Sequence, residues 1–189
     1  MGAGPVIREV TETLIRVLEV DTPDLNDWVV ARDLRDGETP ASGKLHVCMY
    51  AIEEHAHMRN QPHQFDGARY QRAPLFLRLY YVMAHFSNAP TNGHLDTQAR
   101  LDRVVQVFHT TPIIGPESLD PVLVGHVRQL AVRLWAPTAE ERNQIWTAFG
   151  RPIQLALYYL VDAVPVDLIQ REGAGRIDEH RIDYGLVVT

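Results

Sequence analysis

The sequence contains one cysteine, Cys48, among its 189 residues. A single thiol cannot form an internal disulfide or a zinc site built from several cysteines, and it fits a chain that folds in a reducing cytoplasm. Cys48 lies within an apolar run and has no basic neighbour that would lower the pKa of its thiol. We therefore interpret Cys48 as a small buried residue and not as a nucleophile.

Clusters of lysine and arginine are also missing, and the formal net charge at pH 7 is -6. Proteins that bind nucleic acids or anionic membranes usually carry a basic patch, so we expect neither as a partner. The most apolar stretch, residues 155–166, is much shorter than the about 20 residues that span a bilayer. The N-terminal residues contain charges and lack the apolar run of a secretion signal, so no such signal is predicted.

The sequence signatures of common enzymes are absent as well. There is no G-x-S-x-G nucleophile elbow, no phosphate-binding loop and no complete dinucleotide fingerprint. The best candidate for a catalytic site is a group of three histidines, His55, His57 and His63, because imidazole is a common ligand of zinc. No H-E-x-x-H pattern accompanies them. A metal-dependent enzyme that uses these histidines is kept as an alternative, while the main interpretation includes no catalytic residue, no metal and no cofactor.

The composition, with 46% hydrophobic and 22% charged residues, is typical of a folded globular protein. A chain of this length fits one domain, because chains split into separate cores only beyond roughly 250–300 residues. We predict a single domain at residues 1–167, since the last predicted core strand ends at residue 164. Residues 168–189 are predicted to be a C-terminal tail, in which Gly173 and Gly175 provide a flexible joint.

Three segments have the spacing of helices. Apolar residues recur at steps of three and four over residues 5–20, which predicts an amphipathic helix. The same spacing over residues 101–108 predicts a second helix, for which Asp96 is the expected N-cap. Thr138 and Glu141 form a T-x-x-E capping box, which marks the start of a third helix.

Four segments have the character of strands, being rich in aliphatic and aromatic residues: residues 45–52, 75–86, 129–134 and 153–164. The first of them is apolar at both odd and even positions, as in a sheet that is covered on both faces. The order of helices and strands predicts an α/β or α+β fold, in which helices pack on a mixed or antiparallel sheet of about four strands.

A long connection, residues 53–73, separates the first two predicted strands and has no clear period. Connections of this length are usually functional or mobile. The segment contains Arg59, Phe65, Tyr70 and Arg72, whose residue types are enriched at protein contacts. We predict that these four residues lie at an interface with another protein.

Several short segments follow one another at set spacings along residues 5–167. They are IREVTETL at residues 7–14, LHVCMYAIE at 45–53, RN at 59–60, PLFLRLYY at 74–81, the helix of 101–109 with TPI at 111–113, and E-x-x-x-I-W-x-x-F-G-x-P at 141–152 with L-x-x-Y at 155–158. In this combination the chain resembles the terminator or cap family of extracellular contractile injection systems, which are phage-tail-like particles.

The resemblance implies a tail-terminator-like fold and a structural role without catalytic residues or cofactors. It implies a homo-oligomeric ring, expected to be a hexamer, that sits on the last tube and sheath subunits, ends polymerisation and stabilises the extended sheath. Such a protein is made in the bacterial cytoplasm and then becomes part of the particle. Residues 55–58 depart from the family's pattern, so the contact made by this loop is not carried over. A tail-completion or baseplate-joining module of the same kind of particle is the alternative.

The C-terminal tail is strongly apolar near its end, where Ile182, Tyr184, Leu186, Val187 and Val188 lie. An apolar segment of this kind is a liability if it stays free in water. We therefore predict that it packs on its own domain or adds as a strand to a neighbouring cap or sheath subunit.

Overall fold

The structure, a computed structural model, describes residues 6–35, 42–59, 64–65, 70–71, 74–124 and 127–166. Its helices are α1 (Val6–Asp21), α2 (Gly93–Thr110), α3 (Pro121–Val124) and α4 (Ala139–Ala148), with a short 3-10 helix at Ala56–Met58. Its strands are β1 (Val29–Ala31), β2 (Lys44–Glu54), β3 (Gln64–Phe65), β4 (Tyr70–Gln71), β5 (Leu75–Phe86), β6 (Ile113–Ile114), β7 (Leu130–Trp135) and β8 (Ala156–Val166). None of the described helices combines the length and apolar character needed to cross a bilayer.

One sheet with the strand order β1-β2-β5-β8-β7-β6 organises the fold, and β3 and β4 pair separately as a small hairpin. The β1–β2 pair is parallel and the other pairs are antiparallel. The predicted class, helices packed on a mixed sheet, is confirmed. The sheet has six strands, however, and not about four. Strands β1 and β6 are too short to show the alternation by which the longer strands were predicted.

Helix α1 packs one stripe of side chains against the sheet, as its spacing predicts. Val10 and Leu14 are fully buried on this stripe, and Val17 and Leu18 extend it by one turn. The hydroxyl groups of Thr11 and Tyr81 are 2.9 Å apart and hydrogen-bond, which ties the helix to the central strand β5.

Helix α2 begins one turn earlier than predicted. Its N-cap is Asn92, whose backbone is left-handed at φ 58°, a conformation that asparagine tolerates better than most residues. Asp96 lies in the first turn, and one of its carboxylate oxygens accepts a hydrogen bond from the Ser87 hydroxyl at 2.6 Å. The expectation that Asp96 is the cap was therefore wrong, because this carboxylate bonds to the loop before the helix.

The sheet has a hydrophobic core on each face. Because successive strand residues point to opposite faces, Tyr81 and Met83 of β5 pack with α1, α2 and α3, whereas Val82 and Ala84 pack on the side of α4. Cys48 belongs to the α4 core and is buried, which confirms its interpretation as a small core residue.

Helix α4 is attached to the sheet mainly through Trp146, its one buried residue. The predicted capping box is present: the Thr138 hydroxyl accepts from the Glu141 amide at 3.2 Å, and the Thr138 amide donates to Glu141 Oε2 at 2.7 Å. The Trp146 indole is fully buried and donates to the Tyr158 hydroxyl at 2.8 Å. Because α4 buries few apolar side chains, its attachment to the sheet depends on Trp146.

We expect Trp146→Ala to lower the free energy of unfolding by about 3–5 kcal/mol, since it leaves a cavity and removes the partner of a buried hydroxyl. Chemical denaturation measures the change. Asn143→Ala, an exposed position on the same helix, is the control and should alter stability by less than about 0.5 kcal/mol. Equal effects of the two substitutions would contradict this account of how α4 is held.

Candidate protein interface

The connection between β2 and β5 contains short regular elements that its sequence did not predict. Arg59 follows the 3-10 helix, and its Nη2 lies 2.7 Å from Glu54 Oε2 while the side chain is largely exposed. Phe65 and Tyr70 are register partners across the β3–β4 hairpin. Arg72 lies outside the described residues. Three of the four predicted interface residues of this connection therefore lie in or beside its short regular elements.

A cluster of charged side chains lies where this connection joins the sheet. The Asp162 carboxylate is 3.1 Å from Arg78 Nε, 3.2 Å from Arg133 Nη2 and 3.3 Å from His55 Nε2. A β-bulge places two residues of β8, Asp162 and Ala163, opposite Arg78 of β5. The hydrogen bond to Asp162 raises the pKa of Arg78, so this side chain remains a cation.

The same cluster accounts for one of the histidines considered as metal ligands. His55 lies against Asp162, and its ring centroid is 5.9 Å from that of His57. Arg78 and Arg133 contact the same carboxylate and would repel a metal cation there. Within the part of the chain that the structure describes, which leaves out His63, no group of three or more His, Cys, Asp or Glu side chains could hold a metal. The metal-enzyme alternative is not supported.

The sheet has an open edge along β7. Strand β6 pairs only with the first residues of β7, and the Val132 amide donates to the Pro112 carbonyl at 2.8 Å. Alternate residues of a strand turn their backbone polar groups to the same side, so those of Leu134 point outward in the same direction. No described strand lies beyond them. The Leu134 side chain is 58% exposed, and an edge of this kind is a template for pairing with another chain.

Among the residues that the structure describes, the opposite edge of the sheet is also incompletely covered. Strand β1 pairs with β2 from Leu45 to Val47 only, although β2 continues to Glu54. A groove of about 430 Å³ lies beside the uncovered part, between Thr11 of α1 and Phe149 at the end of α4. Cys48 lines this groove, but burial raises the pKa of its thiol to about 11, so the thiolate needed for nucleophilic chemistry is scarce at neutral pH.

The comparison with protein families identifies the chain. The family model described as the Pvc16 N-terminal domain matches residues 9–179. The chain belongs to the Pvc16 N-terminal domain family. This finding confirms the resemblance to terminator or cap proteins of contractile injection systems, which rested on short segments of core sequence. No curated protein matches the chain.

Solved structures share the fold of this Pvc16 family member. The sheath/tube terminator of PVC, an extracellular contractile injection system, in its extended state matches with a TM-score of 0.61 and 14% identity, over 100% of this chain and 67% of that chain. The tube-terminating cap of the anti-feeding prophage matches with a TM-score of 0.59 and 16% identity, over 93% of this chain and 60% of that chain. The chain therefore spans about two thirds of the first protein and less of the second.

The interface residues named from the sequence stay a prediction, and the sequence analysis did not single out the other residues of this candidate surface. The residues it did not single out include Arg78, Arg133 and Asp162, which come together only when β5, β7 and β8 pair, and Leu134 on the β7 edge. The sequence does contain a signal for this cluster, because Arg78 and Asp162 are charged residues in the middle of apolar strands. The predicted tail residues, Ile182, Tyr184, Leu186, Val187 and Val188, lie outside the described part of this Pvc16 family member.

We expect Asp162→Asn to lower the free energy of unfolding by about 1–2 kcal/mol, because Arg78, whose side chain is only 25% exposed, loses its counter-charge. Urea denaturation measures the change. The matched control is Asp24→Asn, which alters a mostly exposed ion pair with Arg103 at 3.5 Å and should cost about 0.5 kcal/mol or less. If the two variants lose the same stability, the Asp162 cluster does not have the structural role assigned to it.

Proposed function

We propose that this protein is a structural cap that ends the tube and sheath of a contractile injection particle and has no catalytic role. The observation that carries the proposal is the likeness of fold over all of the chain to a sheath/tube terminator, together with membership of the Pvc16 N-terminal domain family. The proposed partners are the last tube and sheath subunits, and neither nucleic acid nor a membrane. The chain is made in the bacterial cytoplasm and is then incorporated into the particle.

The proposed assembly is a homo-oligomeric ring, with six copies. A closed ring needs two different surfaces on each copy, since every subunit contacts its two neighbours through opposite sides. The two open edges of the sheet, along β2 and along β7, lie on opposite sides of the chain and meet this requirement. The exposed side chains of Leu134 and Ile113 supply apolar surface at one of them.

The remaining predicted interface residues have roles in the same proposal. Arg59, Phe65, Tyr70 and Arg72 belong to the connection between β2 and β5, and they contact a tube or sheath subunit. The tail, with Ile182, Tyr184, Leu186, Val187 and Val188, adds to an open sheet edge of a neighbouring cap or sheath subunit. Backbone pairing at an edge requires little sequence specificity, which suits contacts among repeated subunits.

Particles assembled without this protein should have tubes of variable length and should lose or prematurely contract their sheaths, because nothing ends polymerisation or holds the last sheath layer. Electron microscopy of particles with and without the protein measures tube length and the fraction of extended sheaths. Adding back the wild-type chain is the control. If both quantities are unchanged in its absence, the capping function is wrong.

Leu134→Lys should weaken self-association and capping at least about tenfold while the chain stays folded, because a charge on an open edge opposes strand addition. Sedimentation velocity measures association, and microscopy measures capping. Leu95→Lys is the matched control, since Leu95 is 60% exposed on helix α2, away from the edge. If Leu134→Lys associates as strongly as the control, β7 is not part of the interface.

A further inference from the structure

A small pocket lies on the α4 side of the sheet, and strands β2 and β7 contribute to its lining. It has a volume of about 180 Å³, the size of one side chain. Strands β2, β5 and β7 provide its floor, and α4 provides one wall. The residues that matter for its chemistry are Tyr50, Glu53, Tyr80, Trp135 and Glu141.

Three aromatic rings line this pocket and contact one another. The ring centroids of Tyr80 and Trp135 are 5.8 Å apart, and those of Tyr50 and Tyr80 are 6.1 Å apart. Tyr50 is the extra residue of a β-bulge in β2, between Met49 and Ala51 in the register with β5. Bulges re-aim a side chain relative to its neighbours. The negative faces of such rings attract cations, and the tyrosine hydroxyls add hydrogen-bonding capacity.

Two carboxylates also line the pocket, and each accepts a hydrogen bond. Glu53 Oε2 accepts from the Tyr80 hydroxyl at 2.9 Å, and Glu141 Oε2 accepts from the Thr138 amide at 2.7 Å. The bonds to Thr138 lower the pKa of Glu141, so this group is ionised at neutral pH. Burial raises the pKa of Tyr50 to about 12, so its hydroxyl keeps its proton.

The described residues that line the pocket include no cation. Arg78 lies opposite Glu53 in the register of β2 and β5 and interacts with the Tyr80 hydroxyl, but its guanidinium is bound by Asp162, whose carboxylate is 3.1 Å from Arg78 Nε. The pocket therefore combines aromatic rings with two negative charges, and none of its described lining residues is positively charged. This is the composition of a site for a cationic group.

We propose that this pocket binds the guanidinium group of an arginine side chain that a protein partner inserts. Guanidinium is planar, stacks on aromatic faces and donates several hydrogen bonds in fixed directions, so it matches rings and carboxylates placed together better than the compact ammonium of lysine does. The partner is a neighbouring copy of the chain or a tube or sheath subunit. This inference adds a specific contact to the proposed function. It rests on that function only for the identity of the protein that supplies the arginine.

The binding test uses the isolated full chain and N-acetyl-arginine amide, observed through the NMR resonances of the pocket residues and the Trp135 indole. Trp28 and Trp146 are buried, so Trp135 is the accessible indole. We expect saturable binding in the millimolar range. N-acetyl-citrulline amide, which has the same shape without the charge, should bind at least about fivefold more weakly.

Two variants test the pocket itself. Glu53→Gln keeps an acceptor for Tyr80 but removes a charge, and it should weaken binding of the arginine amide about fivefold or more. Trp135→Leu should abolish saturable binding. Glu117→Gln, an exposed position outside the pocket, is the control and should bind like the wild type. Equal binding of the citrulline amide, or unchanged binding by Glu53→Gln, overturns the proposal.

Further measurements identify the source of the arginine. If Glu53→Gln weakens self-association in sedimentation velocity, the arginine comes from a neighbouring copy. If it weakens only the binding to purified tube or sheath, the arginine comes from those subunits. If neither association changes, the claim that a partner inserts an arginine is wrong.

Should the arginine amide not bind while particles still need the protein for capping, the pocket proposal fails and the capping function stands. Should it bind while particles assemble normally without the protein, the capping function fails.

Discussion

Strand β5 is surrounded on every side, with β2 and β8 at its edges and helices over both faces. A strand in this position must be apolar at odd and even positions alike, because neither face reaches water. From Leu79 to Ala84 all its side chains are buried. The positions of α1, α2 and α4 follow from this requirement, since each helix covers part of a face of the sheet that would otherwise be exposed to water.

The requirement relaxes towards the beginning of β5, where α4 no longer covers the sheet. Arg78 can lie there because Asp162 on the neighbouring strand neutralises it and the bulge in β8 brings the carboxylate within reach. Tyr80, two residues further along the strand, connects the charged cluster with the aromatic pocket, because it interacts with Arg78 and donates its hydroxyl hydrogen to Glu53. The polar features of this face therefore begin where the helical cover ends.

Long elements could be predicted from the sequence because their patterns repeat over several turns or several residue pairs. The bounds of β5 were predicted correctly, and the capping box located α4. The short edge strands β1 and β6 could not be found, because pairing with β2 and β7 creates them and they have no pattern of their own. The start of α2 was misplaced because Asp96 is a good cap residue by type, and only the position of Ser87 shows that its carboxylate is used elsewhere.

The candidate site was less predictable than the fold. Arg59 was predicted as an interface residue because it lies in a long connection, whereas the Asp162 cluster and the aromatic pocket combine residues from strands far apart in the chain. A single sequence gives no register between such strands. It does contain the isolated charges at Arg78 and Asp162 within apolar runs, and such charges need partners.

The place of β8 in the sheet has a consequence for folding during synthesis. Strand β2 and helix α1 leave the ribosome before or with β5, but β5 pairs on its other edge with β8, which begins at Ala156. Strand β7 also pairs with β8, so the β6–β7 portion cannot join the sheet until β8 has been made. The nascent chain therefore leaves one edge of this apolar strand unpaired while residues 87–155 are synthesised, a state prone to pairing between chains. Completion of β8 unites the two halves of the sheet and ends that exposure.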